Sequence, residues 1–275
     1  MERRTVSELE DLARRIRLDI VEMTGFGEHT GHLGGACSSA DILAVLYGRV
    51  MRHDPNNPDL RDRDKFLCSK GHAAIVQYAA MAETGYFPKE ELKTFKVLGS
   101  RLQGHPDRLK LKGIEAGTGS LGQGLSIACG MVMAMKLDGI DGKVFCLMGD
   151  GELAEGQIWE AAFAAKVHRL TNLVGIVDRN RLQATGFVAD RFNTSPLEDK
   201  WQACGWNVIK VDGHDIRALA DAFENLPDDR PTVMIADTVK GKGISFAEDK
   251  ASFHNCLLTE EQYKAAIDEL SGRTK

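Results

Sequence analysis

The chain has few of the features that mark a specialised class, and each shortage excludes something. Its six cysteines (Cys37, Cys68, Cys129, Cys146, Cys204 and Cys256) are scattered with no CxxC pair. Several lie in apolar runs, so buried free thiols in a reducing compartment are expected. The longest apolar stretch, around Gly124 to Met135, is too short and too glycine-interrupted to span a bilayer, and no membrane role is expected. The opening MERRTVSELEDLARR is charged and lacks the apolar core of a signal peptide, so a cytoplasmic location is expected. A net charge of -5 gives no support for nucleic-acid binding. Internal repeats and low-complexity segments are absent. Hydrophobic residues at 43% and charged residues at 27% are near globular averages and allow a full core.

What is present is a repeated strand signal. Val144 to Met148 is continuously apolar, the pattern of a strand buried on both faces, and Leu173 to Val177 repeats it. Between them Ile158, Trp159, Ala162, Phe163, Ala165 and Val167 recur at helical spacing. Strand, helix and strand make a right-handed crossover unit. In open parallel sheets ligands bind beyond the carboxyl ends of the strands. Asp150 and Asn180, which follow the two runs, are therefore expected at neighbouring strand ends, facing one crevice.

A carboxylate, an amide oxygen and a nearby main-chain carbonyl are hard donors that suit magnesium rather than zinc. Gly149 and Gly151 flank Asp150, leaving the backbone bare where a ligand would approach. Alone, GDG is a weak signal, equally served by a strand-ending turn whose Asp caps the next helix. The spacing to Asn180 behind a second strand favours the metal reading.

The remaining elements follow from the same periodicities. Helices are expected over Thr5 to Met23, with Thr5 and Glu8 as a capping box, over Ser39 to Tyr47, Ala73 to Glu83, Gly122 to Leu137 and Ile216 to Leu226. Further strands are expected at Phe66 to Cys68, Trp206 to Val211 and Thr232 to Ala236. Polar loops read at Arg52 to Asp64, Arg191 to Pro196 and Lys240 to Gly243. The alternation predicts an α/β fold: a doubly wound, mainly parallel sheet with helices on both faces, in a single domain over 1–275.

Two glycine-rich segments invite other readings. GTGSLG from Gly117 satisfies GxGxxG, but Leu109 to Ala116 is broken by two lysines, a glycine and a glutamate, and Asp138 follows a helix. A dinucleotide site needs a preceding strand and an acidic residue after a following one. The turn instead suits backbone amides at the start of the Gly122 helix approaching a diphosphate, or simple capping. GKG at Lys240 lacks the earlier glycine and the following Ser or Thr of a P-loop; Lys240 and Lys242 remain candidates to meet a substrate or cofactor anion, with a solvated loop the preferred expectation.

From Gly149 to Asn180 the chain resembles the thiamine-diphosphate motif, and the rest resembles transketolase. GHLGGACSSADILAVLYG from Gly31, SKGHAA from Ser69, QGHPD from Gln103, GTGSLGQG from Gly117 and GDGELAEG from Gly149 match the cofactor-binding half of that family in order, which makes the thiamine-diphosphate-binding fold the specific expectation. The resemblance implies that Asp150, Asn180 and the Leu182 carbonyl hold Mg2+, and that Gly119, Ser120, Leu121, Gly149, Gly151, His72 and Glu155 also contact the cofactor or its surroundings. It implies His32, His72 and His105 as residues that bind or deprotonate sugar hydroxyls, with His254 a looser match to a further site histidine. Glu155 matches a family glutamate near the subunit interface. His29, His53, His168 and His214 carry no such support and are read as solvated or structural. One departure stands out: Leu33 follows His32 where many members have proline, which changes the stiffness of that wall.

Complete transketolases are more than twice this long. The resemblance therefore implies the N-terminal subunit of a split enzyme, whose pyrimidine-binding C-terminal subunit is a separate chain carrying the glutamate that activates the cofactor. It further implies transfer of a two-carbon ketol unit from a ketose, phosphorylated or similarly anionic, to an aldose, in a heterotetramer with two copies of each subunit. The competing readings are a different thiamine-diphosphate enzyme subunit, such as a deoxyxylulose-phosphate synthase-like one, and a non-catalytic assembly subunit.

Overall fold

The computed structural model describes residues 3–25 and 29–273. In chain order the elements are α1 (Val6–Thr24), α2 (Leu33–Ser38), α3 (Ala40–Val45), β1 (Lys65–Cys68), α4 (Ala74–Glu83), α5 (Gln123–Leu137), β2 (Val144–Gly149), α6 (Gly156–Val167) and β3 (Leu173–Arg179). A small antiparallel pair β4 (Leu182–Gln183) and β5 (Gly186–Phe187) follows, then α7 (Val188–Arg191), α8 (Leu197–Ala203), β6 (Asn207–Asp212), α9 (Ile216–Glu224), β7 (Thr232–Asp237) and α10 (Glu260–Leu270). The main sheet is parallel throughout, in the order β1-β2-β3-β7-β6.

Period-two alternation divides the core between the two faces of this sheet. Val144, Cys146, Met148, Leu173, Val177, Val233 and Ile235 pack beneath α5, α6 and α8. Phe145, Leu147, Val174, Ile176, Met234 and Ala236 pack with α1, α3, α4, α9 and α10. Both faces are covered, which is why the strands read as unbroken apolar runs. Gly175 belongs to this packing: a Cβ there would lie 3.1 Å from Met148 Cε and 3.5 Å from Trp206.

The expected elements are found, with corrections at their edges. The capping box on α1 is present: Thr5 Oγ1 accepts from Glu8 N, and Glu8 accepts from Thr5 N. The helix expected over Ser39 to Tyr47 begins earlier, at Leu33, and ends in a π-helical turn over Leu46–Val50. Gly34 and Gly35 hide that start, since glycine is a poor helix former, while burial of the whole of α2 and α3 supplies the compensating energy. Of the apolar residues that suggest α6, Phe163 and Val167 are exposed. The free cysteines are buried as expected, except for a half-buried Cys256.

Candidate active site

The parallel strands β2 and β3 run in register, Gly149 opposite Asp178, so the residues just beyond their ends are neighbours. The Asp150 amide donates to Asp178 O (3.2 Å). Its carboxylate accepts from Gly151 N (2.9 Å) and from Arg181 N (2.7 Å), the amide next to Asn180. Asp150 and Asn180 thus share one crevice at the carboxyl end of the sheet. Asn180 Oδ1 accepts from Leu182 N at 3.1 Å, which closes a turn, and the Leu182 carbonyl accepts from Lys240 Nζ. Burial and the facing Asp178 charge push the Asp150 carboxyl up to about 6, against the opposing pull of the Arg181 and Gly151 amides and the Lys240 cation.

The four histidines singled out from the sequence converge on one wall. Ring centroids of His32 lie 5.0 Å from His72, 5.4 Å from His254 and 6.3 Å from His105, and His72 lies 5.0 Å from His254. His32 is placed by the start of α2 and by mutual backbone hydrogen bonds between Gly31 and Cys256, which tie it to the His254 loop. His105 is held by Tyr78 Oη, which donates to the carbonyls of Gln103 (2.9 Å) and His105 (3.1 Å). Gly119, at φ 146, lies against it: a Cβ would come within 2.7 Å of His105 Cδ2. Burial, reinforced by neighbouring cations, drives His32 down to about 4, His72 to about 2 and His254 to about 3, and lowers His105. Near pH 7 all four are neutral imidazoles, each with one donor and one acceptor nitrogen.

Several buried polar residues of the crevice have no local sequence signal. Lys240, expected in a solvated loop, is 2% exposed. Its Nζ donates to the Leu182 carbonyl (2.8 Å) and His254 Nδ1 (2.9 Å). That bond assigns the neutral tautomer of His254, with its proton on Nε2. Burial and the nearby Lys70 pull the Lys240 ammonium down to about 8. Glu152, rather than Glu155, is the buried glutamate of GDGELAEG: it accepts from Gly122 N (2.9 Å), Gly149 N (3.0 Å) and Ser69 Oγ. It therefore joins three of the glycine-rich blocks, and it occupies the Gly122 amide, one of those expected to face a ligand. Glu155 is an exposed residue preceding α6, with its Cβ against Gly122. The residues Gly119, Ser120 and Leu121 form the turn into α5, beside His105 and the GDG turn.

The other histidines are structural or peripheral. His53 bonds Tyr47 O and Tyr86 Oη, and His214 bridges Asp41 and the Val239 amide. A cavity of about 470 Å³ opens at Asp150, with Arg179, Arg181, Phe187 and Thr194 in its lining.

The oxygen set passes a chemical test for a magnesium-held diphosphate. Among the described residues no group of three or more His, Cys, Asp or Glu side chains is placed to hold a metal. A cation here would have one carboxylate, one amide oxygen and one carbonyl, a sparse hard set that leaves positions for phosphate oxygens and water, as magnesium requires.

Over residues 6–272 the chain matches the family described as transketolase, thiamine diphosphate binding domain. It is 42% identical over 262 residues to the 6-deoxy-6-sulfo-D-fructose transketolase subunit SqwG of Clostridium sp. (strain MSTE9), covering 94% of each chain. It is 42% identical over 264 residues to an apulose-4-phosphate transketolase subunit of Actinobacillus succinogenes, covering 96% of each. Among solved structures it is similar to transketolase from Campylobacter jejuni (TM-score 0.88, 34% identity, 98% of this chain and 43% of that one). The Leishmania mexicana enzyme is similar at TM-score 0.88 and 29% identity, with 98% of this chain and 42% of that one covered. The chain thus spans less than half the length of those solved transketolases.

Proposed function

This chain belongs to the transketolase family as its thiamine diphosphate binding domain, and from that premise we propose that it is the cofactor-diphosphate subunit of a two-chain transketolase, all of 1–275 forming that domain. The observation that carries the reading is the meeting of Asp150, Asn180 and Leu182 with four histidines at one crevice, where Lys240 bridges the Leu182 carbonyl and His254.

Asp150, the Asn180 Oδ1 and the Leu182 carbonyl would hold Mg2+, and through it the diphosphate, with the backbone of Gly149, Gly151 and Gly119 to Leu121 close by. Thiamine diphosphate, when bound, supplies the nucleophilic carbon and electron sink that let a ketol unit leave a ketose and join an aldose. The protein's part is positioning and proton handling. His32, His72, His105 and His254, being uncharged, accept a proton or hydrogen bond from a sugar hydroxyl with one nitrogen and donate with the other. Lys240 fixes the His254 tautomer and steadies the Leu182 carbonyl.

Support for a two-chain enzyme comes from the two relatives named as subunits, which match this chain over nearly their whole lengths. Their names carry a sulfonated sugar and a sugar phosphate, so an anionic ketose donor is the substrate class proposed here. The partner would contribute the pyrimidine-binding half, and Glu155, exposed before α6, would lie near the interface of a heterotetramer with two copies of each chain. Buried free thiols fit a cytoplasmic setting, and no helix among the described residues is long and apolar enough to cross a membrane.

The test is reconstitution. The chain mixed with its pyrimidine-binding partner should transfer ketol units with magnesium and thiamine diphosphate, and the purified chain alone should not. Activity of the single chain, or magnesium dependence unchanged in Asp150→Ala, would overturn the reading.

A further inference from the structure

Asp178 is the most heavily bonded carboxylate of the crevice, and its oxygens are taken up by protein donors. It is 0% exposed. Its Oδ2 accepts from Ser38 Oγ (2.6 Å), Ser39 Oγ (3.2 Å), Asn180 Nδ2 (3.0 Å) and Lys70 Nζ, while its Oδ1 accepts from Thr238 Oγ1. These donors come from the α2–α3 junction, the segments after β1 and β7, and the β3 end itself. Lys70 is equally committed: its Nζ also donates to Gly35 O (2.8 Å) and Ser39 Oγ (2.7 Å), which uses all three of its protons. The ion pair depresses the Asp178 carboxyl below its ordinary value despite complete burial. So engaged, Asp178 has little left to offer a cation.

Its bond to Asn180 has a directional consequence. A carboxylate is acceptor-only, so the side of the Asn180 amide facing Asp178 has to be NH2. The opposite side faces the Leu182 N–H, which needs an oxygen. Flipping the amide would set oxygen against carboxylate and NH2 against N–H, losing both bonds. Both ends of the amide are thus fixed, and the carbonyl oxygen retains a second lone pair.

We propose that Asp178, itself pinned by Lys70, is a positioning residue that fixes the Asn180 amide with its oxygen presented to the cation. The proposal rests on the metal reading above. It links the two halves of the crevice, because Lys70 precedes His72 by two residues as Asp178 precedes Asn180.

Magnesium affinity of the full chain, titrated calorimetrically with thiamine diphosphate present, tests it, with melting curves to establish that each variant folds. Lys70→Met/Asp178→Ala, neutral but without the acceptor, should lose about 10- to 100-fold in magnesium affinity. Lys70→Met/Asp178→Asn, neutral but retaining one acceptor oxygen, should recover at least about tenfold of that loss. If the two double variants bind magnesium alike, the orienting role is wrong. Asn180→Asp provides a second route should the first variant not fold. If the amide NH2 is needed against Asp178, this substitution weakens magnesium binding despite its added negative charge; tighter binding would overturn the proposal. Asp150→Ala separates the two layers of argument. Unchanged magnesium affinity in that variant, or no binding by the native chain, defeats the metal reading itself. A loss in Asp150→Ala with none in Lys70→Met/Asp178→Ala defeats only the role given to Asp178.

Discussion

Asp64 and Asp150 lie at opposite ends of the same sheet, 8% and 4% exposed, and each accepts two backbone N–H groups. Asp64, just before β1, takes the amides of Arg52 (2.7 Å) and Lys143 (2.8 Å). It fastens the loop before β1 to the start of β2, and the Arg63–Glu115 ion pair sits beside it. Asp150, just after β2, takes Gly151 and Arg181, but it faces the Asp178 carboxylate, which Lys70 already neutralises. Asp64 therefore closes the amino end of the sheet, while at the carboxyl end burial and the facing Asp178 charge disfavour ionisation of Asp150. Equal numbers of hydrogen bonds serve a staple at one end and, in the function proposed above, a binding group at the other.

The sharpest way to break this contrast is to exchange the fates of the two aspartates. Asp150→Ala should abolish magnesium-dependent binding of thiamine diphosphate and, with the partner chain, ketol transfer, as measured by calorimetry and product formation. Next in size, His72→Gln should lower turnover of the reconstituted enzyme by about 100-fold, while melting stays near native; unchanged turnover with every donor tried would remove His72 from proton handling. Asp64→Ala should act on stability instead. Two part-buried amides lose their acceptor, costing about 2 kcal/mol, and the melting temperature should drop while cofactor affinity of the folded protein holds. A loss of affinity at full stability would erase the distinction between the two ends.

The smallest effect expected is on pH dependence. His32, His72 and His254 are held down to about 4, 2 and 3, whereas an unfolded histidine titrates near 6.5. Below that value the unfolded chain takes up protons that the folded chain refuses, so the stability present above about pH 6.5 is lost as pH falls toward 4. Asp19 and Asp150, raised to about 7 and about 6, work in the opposite direction as pH falls toward 4, two groups against three. The melting temperature should fall by roughly 5 °C between pH 7 and pH 5, and a flat profile would show that the histidines titrate normally.

The parts legible in the sequence are those whose cause is local. The apolar runs Val144 to Met148 and Leu173 to Val177 announce buried parallel strands, and Asp150, Asn180, His72 and His105 stand in short distinctive blocks. Glu152, Lys70, Asp178 and Lys240 are not legible as site residues. Glu152 reaches Gly122 and Ser69 across 30 and 83 residues, Lys70 reaches Asp178 across 108, and Lys240 reaches Leu182 across 58. A lysine followed by glycine looks like solvated loop until the fold buries it under a carbonyl and an imidazole. The early start of α2 at Leu33 is hidden for a related reason, since tertiary burial there outweighs the helix propensity of Gly34 and Gly35.

The most direct test of the central claim is a calorimetric titration of thiamine diphosphate into the full chain, with magnesium and then with the metal chelated, alongside Asp150→Ala under the same two conditions. Binding by the native chain that requires magnesium, and no metal-dependent binding by the variant, is the predicted result. Equal binding with and without the metal, or native-like metal-dependent binding by Asp150→Ala, would contradict it.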